Sequence, residues 1–274
     1  MTEPHEFLAE DVGSGDITSE ALAAHANVKA AIIAKDDCVV AGMDVAAEIF
    51  RHVGLDVKII VRDGENVRKG TAVMEIYGPA RALLGSERLA LNFVMRLSGI
   101  ATATRKLVDA CRPLNPNIKI AATRKTTPGL RKFEKDAVEL GGGIRHREGL
   151  YDQFLIKDNH LKIVGSVAEA VRLAKAYRPG MKIEVEVTDI KMAEEASYAG
   201  ADIIMLDNMS PAQAAKAAAA IRNVNPKAIV EISGGITPDN IRGYAGFADV
   251  ISLGWLTHSV RAVDFSLEIK YVGK

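Results

Sequence analysis

Two cations stand side by side where a short apolar run stops: Arg124 and Lys125 follow "IKIAAT" and precede a turn at Pro128-Gly129. Adjacent positive charges repel, so the pair calls for an anion or for open water. Other short β-branched runs also end on charged residues or glycines. Lys157 follows "QFLI", Glu186 lies in "KIEVEV" and Asp207 ends "DIIMLD"; Ser233, Gly234 and Gly235 follow "AIVEI", and Ser252 and Gly254 close "DVISLG". The charges sort by sign. Arg124, Lys125, His146, Arg147 and Lys157, with Arg145 and His160 close by in the chain, form a cationic group, and Glu186 and Asp207 form an acidic one. The cations suit an anion whose planar groups match arginine forks. "ISGGITPDNI" reads as a strand, a glycine turn and a helix with Thr237 as N-cap and Pro238 at its first position. Exposed backbone N–H groups at such a turn cradle phosphate, and "ISLGWLTHS" offers a second glycine turn. The two carboxylates could hold Mg²⁺ with its waters, hydrogen-bond ribose hydroxyls, or shield a developing cation. A structural ion-pair network is the plainer alternative, and the paired glycine turns weigh against it. The set fits a phosphorylated sugar and a carboxylated acceptor.

The elements that must bring these residues together are strands and helices in alternation. After about residue 105, the short runs alternate with the helix formers "VAEAVRLAKAY", "IKMAEEASYAG" and "PAQAAKAAAAIRN", the pattern of parallel strands joined by helices. Six or seven such strands favour a closed barrel, whose strand C-termini converge on one face where active sites are built. No strand is followed by G-x-G-x-x-G, which weakens a dinucleotide-binding reading. Before this region, "VKAAIIAKDDCVVAGM" and "DVKIIVRDGENVRKGTAVMEIYGPA" read as strands broken by Asp-Gly and Lys-Gly turns. Residues 80–110 carry helical periodicity as one long helix or two, with Gly99 as the expected break. The stretch around Lys69 superficially resembles a lipoyl-carrier hammerhead, but lacks the sequence context of a modified lysine and reads as a sandwich strand pair.

With 274 residues the chain can bury one large core or two smaller ones. Its 35 basic and 35 acidic residues cancel, which argues against a nucleic-acid or membrane-surface partner; any strong anion site must be local. Cys38 and Cys111 lack metal-ligand spacing and read as reduced, buried thiols. No signal-peptide core opens the sequence and no run is long and apolar enough to cross a membrane, so the expectation is a soluble, cytoplasmic protein. His5, His25 and His52 have no ligand-spaced partners.

The motifs "EDVGSGDITS", "ERLALNFVMRLSGIATAT", "ATRKTTPGLR", "GGGIRHREGLYDQFLIKDNH", "EVEV", "IMLDNM", "EISGGI" and "ISLGWLTHS" together resemble the quinolinate phosphoribosyltransferase family nearly end to end. The resemblance implies an α/β chain of two domains. An N-terminal open α/β sandwich would take residues 1–104 and be completed by residues 262–274. An incomplete, seven-stranded α/β barrel would take residues 105–261. It also implies a homodimer with shared active sites, sometimes in larger assemblies such as a dimer-based hexamer.

On the same resemblance, Arg124, Lys125, His146, Arg147 and Lys157 would cage the two carboxylates of quinolinate, and Arg88 in "SERLALN" would reach in from the partner subunit. Glu186 and Asp207 would face the ribose and Mg²⁺ of phosphoribosyl pyrophosphate, while Ser233, Gly234, Gly235, Ser252 and Gly254 would hold its 5′-phosphate. Lys125, Glu186 and Asp207 would be the catalytic residues. Two positions depart from the family pattern. Ala122 stands where an Asp is common, which would loosen support of Arg124, and Trp255 stands where a small residue is usual, its ring expected to pack below the loop. A paralogous group associated with molybdenum transport shares several motifs but alters the segment after the His-Arg pair, which is intact here.

Overall fold

The computed structural model describes residues 3–23 and 25–273. Met1 and Lys274, the outer limits of the expected N-terminal domain, lie outside the described residues. The chain forms two compact units. The first comprises residues 1–105, 127–141 and 260–274, and the second comprises residues 106–126 and 142–259.

The first unit is built on strands β1 (Asn27–Ala34), β2 (Cys38–Val39), β3 (Asp56–Ile59), β4 (Asn66–Val67) and β5 (Ala72–Pro79), joined by the late strand Phe265–Gly273. The late strand pairs antiparallel with β1, and β1, β5 and β3 follow in order; β2 and β4 form a separate ribbon. Helix Met43–His52 buries Met43, Ala46, Ala47 and Phe50, an apolar stripe at helical spacing. Its first amide donates to the Asp63 carboxylate at 2.8 Å, which caps the turn. Helix Arg131–Leu140 carries a fully buried Glu134, which accepts from Arg96 Nη2 at 2.6 Å and from the Thr127 hydroxyl at 2.8 Å.

Residues 80–110 do not break at Gly99. Ala80–Cys111 is one helix, and a Cβ at Gly99 would overlap the carbonyl oxygen of Arg261. The glycine is there so that another stretch of backbone can approach the helix, a packing demand that reads in sequence like a breaker.

The second unit is a parallel sheet of β6 (Lys119–Ala121), β7 (Phe154–Ile156), β8 (Ile183–Val187), β9 (Ile203–Asp207), β10 (Ile229–Ser233) and β11 (Val250–Ser252). Their spatial order is β6-β11-β10-β9-β8-β7. Helices Val167–Tyr177, Ile190–Ala199 and Pro211–Val224 follow successive strands, each entered through a side-chain cap from Ser166, Asp189 or Ser210. In β8 the odd positions Ile183, Val185 and Val187 are buried apolar residues and the even ones are Glu184 and Glu186, so one face is apolar and the other acidic.

Strand–helix alternation alone pointed to a closed barrel. Among the described residues the ring is incomplete, and its seventh stave is a single parallel bridge between Ile144 and Ala121. Ile144 donates to the Ile120 carbonyl at 2.8 Å and accepts from the Ala122 amide at 2.9 Å. The chain there, "GGGIRHREG", has one β-branched residue amid glycines and charges, so no ladder propagates beyond it.

Candidate active site

The C-terminal ends of β6 to β11 surround a cavity of about 760 Å³. Its wall includes Arg124, Lys125, His146, Arg147, Lys157, Glu186, Asp207, Ser233, Gly234, Gly235, Ser252 and Gly254. These come from seven points along the chain, and the parallel sheet converges them. Arg124, Arg147 and Lys157 also line a second cavity of about 430 Å³ walled by Tyr151, Phe154 and Tyr177. Arg88 lies elsewhere: it stands on helix Ala80–Cys111 in the first unit and lines a cavity there with Asp11, Phe93 and Arg96. The two residues only near the cationic group are tied down locally. Arg145 Nε donates to Glu148 at 2.7 Å, and His160 Nδ1 accepts the Lys157 amide at 3.1 Å.

The cationic wall is under electrostatic pressure. Arg147 has its pKa pulled down by burial and then by the like charge of Arg124. Arg124 Nε is buried and has no hydrogen-bond partner among the described residues. Ala122, fully buried beside it in sequence, offers no side-chain acceptor. Lys125 is exposed, and its carbonyl accepts the Thr257 hydroxyl at 2.6 Å.

On the acidic side, Glu186 is the penultimate residue of β8 and Asp207 ends β9. Burial raises the Glu186 pKa, and the charge of Asp207 raises it further. Two carboxylates that repel each other across adjacent strands, both open to the cavity, could hold a hard cation that keeps part of its water shell.

The glycine turn after β10 requires glycine. Gly234 and Gly235 have φ of 81° and 61°, and a Cβ on Gly234 would come within 2.6 Å of the Asp207 and Asn208 side chains. The expected helix at Thr237 is absent. Residues 237–240 form turns closed by Asn240, whose Oδ1 accepts the Thr237 amide at 2.9 Å, and the helix that follows is only Arg242–Ala245. Phosphate recognition at this turn would therefore fall to loop amides, whereas the turn at Gly254 runs directly into the short helix Trp255–His258. Gly254 has an ordinary helical φ of -65°, and a Cβ there would meet only side chains, 2.7 Å from Lys125 Cδ and 3.0 Å from His258 Nε2. Trp255 is half-buried and lines the cavity; its ring is part of the mouth instead of packing below the loop.

Three cavity residues, Asn208, Glu231 and His258, and the buried Glu184 behind them had escaped the reading of the sequence. His258 and Asn208 line the wall; Asn208 adopts φ of 54°, and its amide donates to the Ser233 carbonyl at 3.1 Å, joining the ends of β9 and β10. Glu184 and Glu231 lie deeper, with relative exposures of 0% and 1%. Both stand two residues before a recognised site residue, on the same strand face. His146 Nε2 lies 3.1 Å from Glu231 Oε2 and 3.4 Å from Glu184 Oε2. Burial alone pulls the His146 pKa down, but the two carboxylates outweigh it and raise the value to about 10. Burial pushes the Glu184 pKa up. A sequence signal existed. Strands of a parallel sheet buried on both faces read as nearly continuous apolar runs, and the glutamates in "IEVEV" and "IVEIS" interrupt them.

The geometry is thus a local anion cage, a carboxylate pair and a glycine turn around one cavity. The chain is 44% identical over 246 residues to a probable nicotinate-nucleotide pyrophosphorylase [carboxylating] of Archaeoglobus fulgidus, covering 89% of this chain and 95% of that protein. It is 46% identical over 269 residues to the protein so named in Methanocaldococcus jannaschii, covering 96% and 94%. The crystal structure of NadC from Streptococcus pyogenes superposes with a TM-score of 0.91 at 41% identity, covering 98% of this chain and 95% of that one. Residues 16–98 match the family model for the quinolinate phosphoribosyl transferase N-terminal domain and residues 100–268 that for the C-terminal domain, so the chain belongs to the quinolinate phosphoribosyl transferase family.

Proposed function

We propose that the protein transfers the phosphoribosyl group of phosphoribosyl pyrophosphate to quinolinate with loss of CO₂, giving nicotinate mononucleotide and pyrophosphate for NAD biosynthesis. The observation that carries this reading is the buried, unpartnered Arg124 Nε beside the like-charged Arg147, in one cavity with the Glu186–Asp207 pair. A dianionic acceptor satisfies the first set and a ribose passing through positive charge satisfies the second.

In this reading Arg124, Lys125, His146, Arg147 and Lys157 bind the two carboxylates and hold the ring nitrogen toward the anomeric carbon. Ser233, Gly234, Gly235, Ser252 and Gly254 receive the 5′-phosphate. The C–O bond to pyrophosphate breaks, its electron pair leaving with the pyrophosphate, and the ring nitrogen forms the new C–N bond. Glu186 and Asp207 stabilise the oxocarbenium character of the ribose between those events. The pyridinium nitrogen then draws in the electron pair released as the neighbouring carboxylate departs as CO₂, and a proton replaces it on the ring. Lys125 stands with the carboxylate ligands and its charge favours the substrate pose; positioning of this kind supplies a large part of many enzymatic rates. Mg²⁺ would be held by Glu186 and Asp207, directly or through water, and when bound would neutralise the leaving pyrophosphate.

The same reading includes a cytoplasmic homodimer in which Arg88 of one subunit serves the site of the other. It is supported by the resemblance and by the placement of Arg88 in the first unit, apart from the residues lining the barrel cavity. Incubation with quinolinate, phosphoribosyl pyrophosphate and Mg²⁺ should yield nicotinate mononucleotide, pyrophosphate and CO₂ in equal amounts. Nicotinate, with one carboxylate, should be turned over very poorly, because it leaves part of the cationic wall, including the buried Arg124 Nε, without a counter-charge. Comparable turnover of the two acceptors would sink the assignment.

A further inference from the structure

The Glu184–Glu231 pair set against His146 serves none of the roles assigned so far. Its cost is plain. Two glutamates are almost fully buried on β8 and β10, and the outer oxygen of each, Oε1, lacks a hydrogen-bond partner among the described residues. Replacing such groups with apolar ones commonly stabilises a protein, so their presence asks for a function. His146 itself takes φ of 56°, an uncommon conformation for a non-glycine residue and one tolerated where surroundings over-determine it. Its side chain is 10% exposed, its Nε2 faces both carboxylates, and the residue lines the cavity wall.

Charges from every side fix its state. Glu184 faces it from β8 and Glu231 from β10; Gln153 donates to the same Glu184 oxygen at 2.5 Å; Arg147 follows it in the chain. Two carboxylates stand within 3.4 Å of the His146 Nε2, and with both ionised a protonated imidazole and Arg147 balance them. Among the cations assigned to the acceptor, histidine alone has a charge that its surroundings must secure at neutral pH. We propose that Glu231, with Glu184, is a positioning residue that keeps His146 as a fixed imidazolium in the cavity wall and so sets selectivity for a dianionic acceptor. This rests on the reading of the cavity as the quinolinate site. Arginine and lysine hold charge by themselves; the paired glutamates let a short, rigid ring do the same in the cavity wall.

The test has one arm independent of activity. Nitrogen-15 NMR of histidine-labelled protein at pH 8, with His146 assigned by the loss of its signal in His146→Asn, should show both ring nitrogens protonated. In Glu231→Gln, which preserves shape and an acceptor but removes a charge, a neutral His146 fraction should appear. KM for quinolinate should rise on the order of tenfold, as loss of a charge-assisted contact predicts, while KM for phosphoribosyl pyrophosphate stays within about twofold. Glu231→Asp should recover part of the quinolinate affinity. A neutral His146 in the wild-type protein, or a divalent ion bound at its Nε2, overturns the proposal whatever the enzyme turns over. Unchanged quinolinate KM in a folded Glu231→Gln variant with neutral His146 overturns it as well. Failure of wild-type turnover with an imidazolium present would instead count against the proposed reaction alone.

Discussion

At the scale of single residues, the proposed function divides the cavity into two anion sites with different chemistries. In that reading the acceptor site depends on side-chain charge, and the phosphate site depends on backbone that glycine supplies. Lys157, directly after β7, can be cut back without disturbing any backbone, whereas Gly234 cannot gain a Cβ without meeting Asp207 and Asn208. Calorimetric titration of each ligand alone should show this. Lys157→Ala should weaken quinolinate by at least about tenfold, the scale of one charge-assisted contact, and leave phosphoribosyl pyrophosphate nearly untouched. Gly234→Val should do the reverse, since its φ of 81° is strained for valine and its side chain would block the loop amides. Equal losses for both ligands in both variants would mean the two sites have been drawn wrongly.

The element that best shows local propensity yielding to packing is helix Ala80–Cys111. In an exposed helix, replacing glycine by alanine gains about 1 kcal/mol. At Gly99 the sign should invert, because the new methyl would overlap the Arg261 carbonyl and the Ala262 backbone. Overpacking of this kind costs about 1–3 kcal/mol, so Gly99→Ala should lower stability in urea unfolding by roughly that amount despite the better helix former. Gly85, on the same helix, has nothing within 4 Å of a built Cβ, and Gly85→Ala should be neutral or stabilising. If both substitutions stabilise equally, the close approach at Gly99 does not exist in solution.

For the whole molecule, the decisive question is whether Arg88 and Lys125 of the same chain serve the same site. In the proposed homodimer they serve opposite ones. Arg88→Ala and Lys125→Ala should each be nearly inactive, since every site then lacks one cation. When the two are unfolded and refolded together, half of the dimers formed by random pairing are mixed, and each mixed dimer carries one intact site. Activity should return to about a quarter of normal, as closed two-fold symmetry requires. Mixed dimers that are present yet no more active than the separate variants would rule out sharing.

The sequence by itself determined the fold class and most of the cavity wall. Strand–helix alternation dictates a parallel sheet, a parallel sheet gathers its strand ends, and residues such as Asp207, Ser233 and Ser252 occupy those ends by position alone. Charge type and glycine placement are also one-dimensional facts, which is why residues of "TRKT" and "ISGG" could be placed on the cavity wall from sequence. Tertiary structure alone decided what depends on distance across the sheet. Glu184 and Glu231 are 47 positions apart along the chain by their numbering, and only the order of the strands sets both against His146. The meaning of Gly99, the reduction of the seventh stave to Ile144, the turns in place of a helix after Gly235, and the turn of Trp255 toward the cavity are likewise packing outcomes. Local propensities there differ by about 1 kcal/mol or less, and contacts made by distant parts of the chain are worth more.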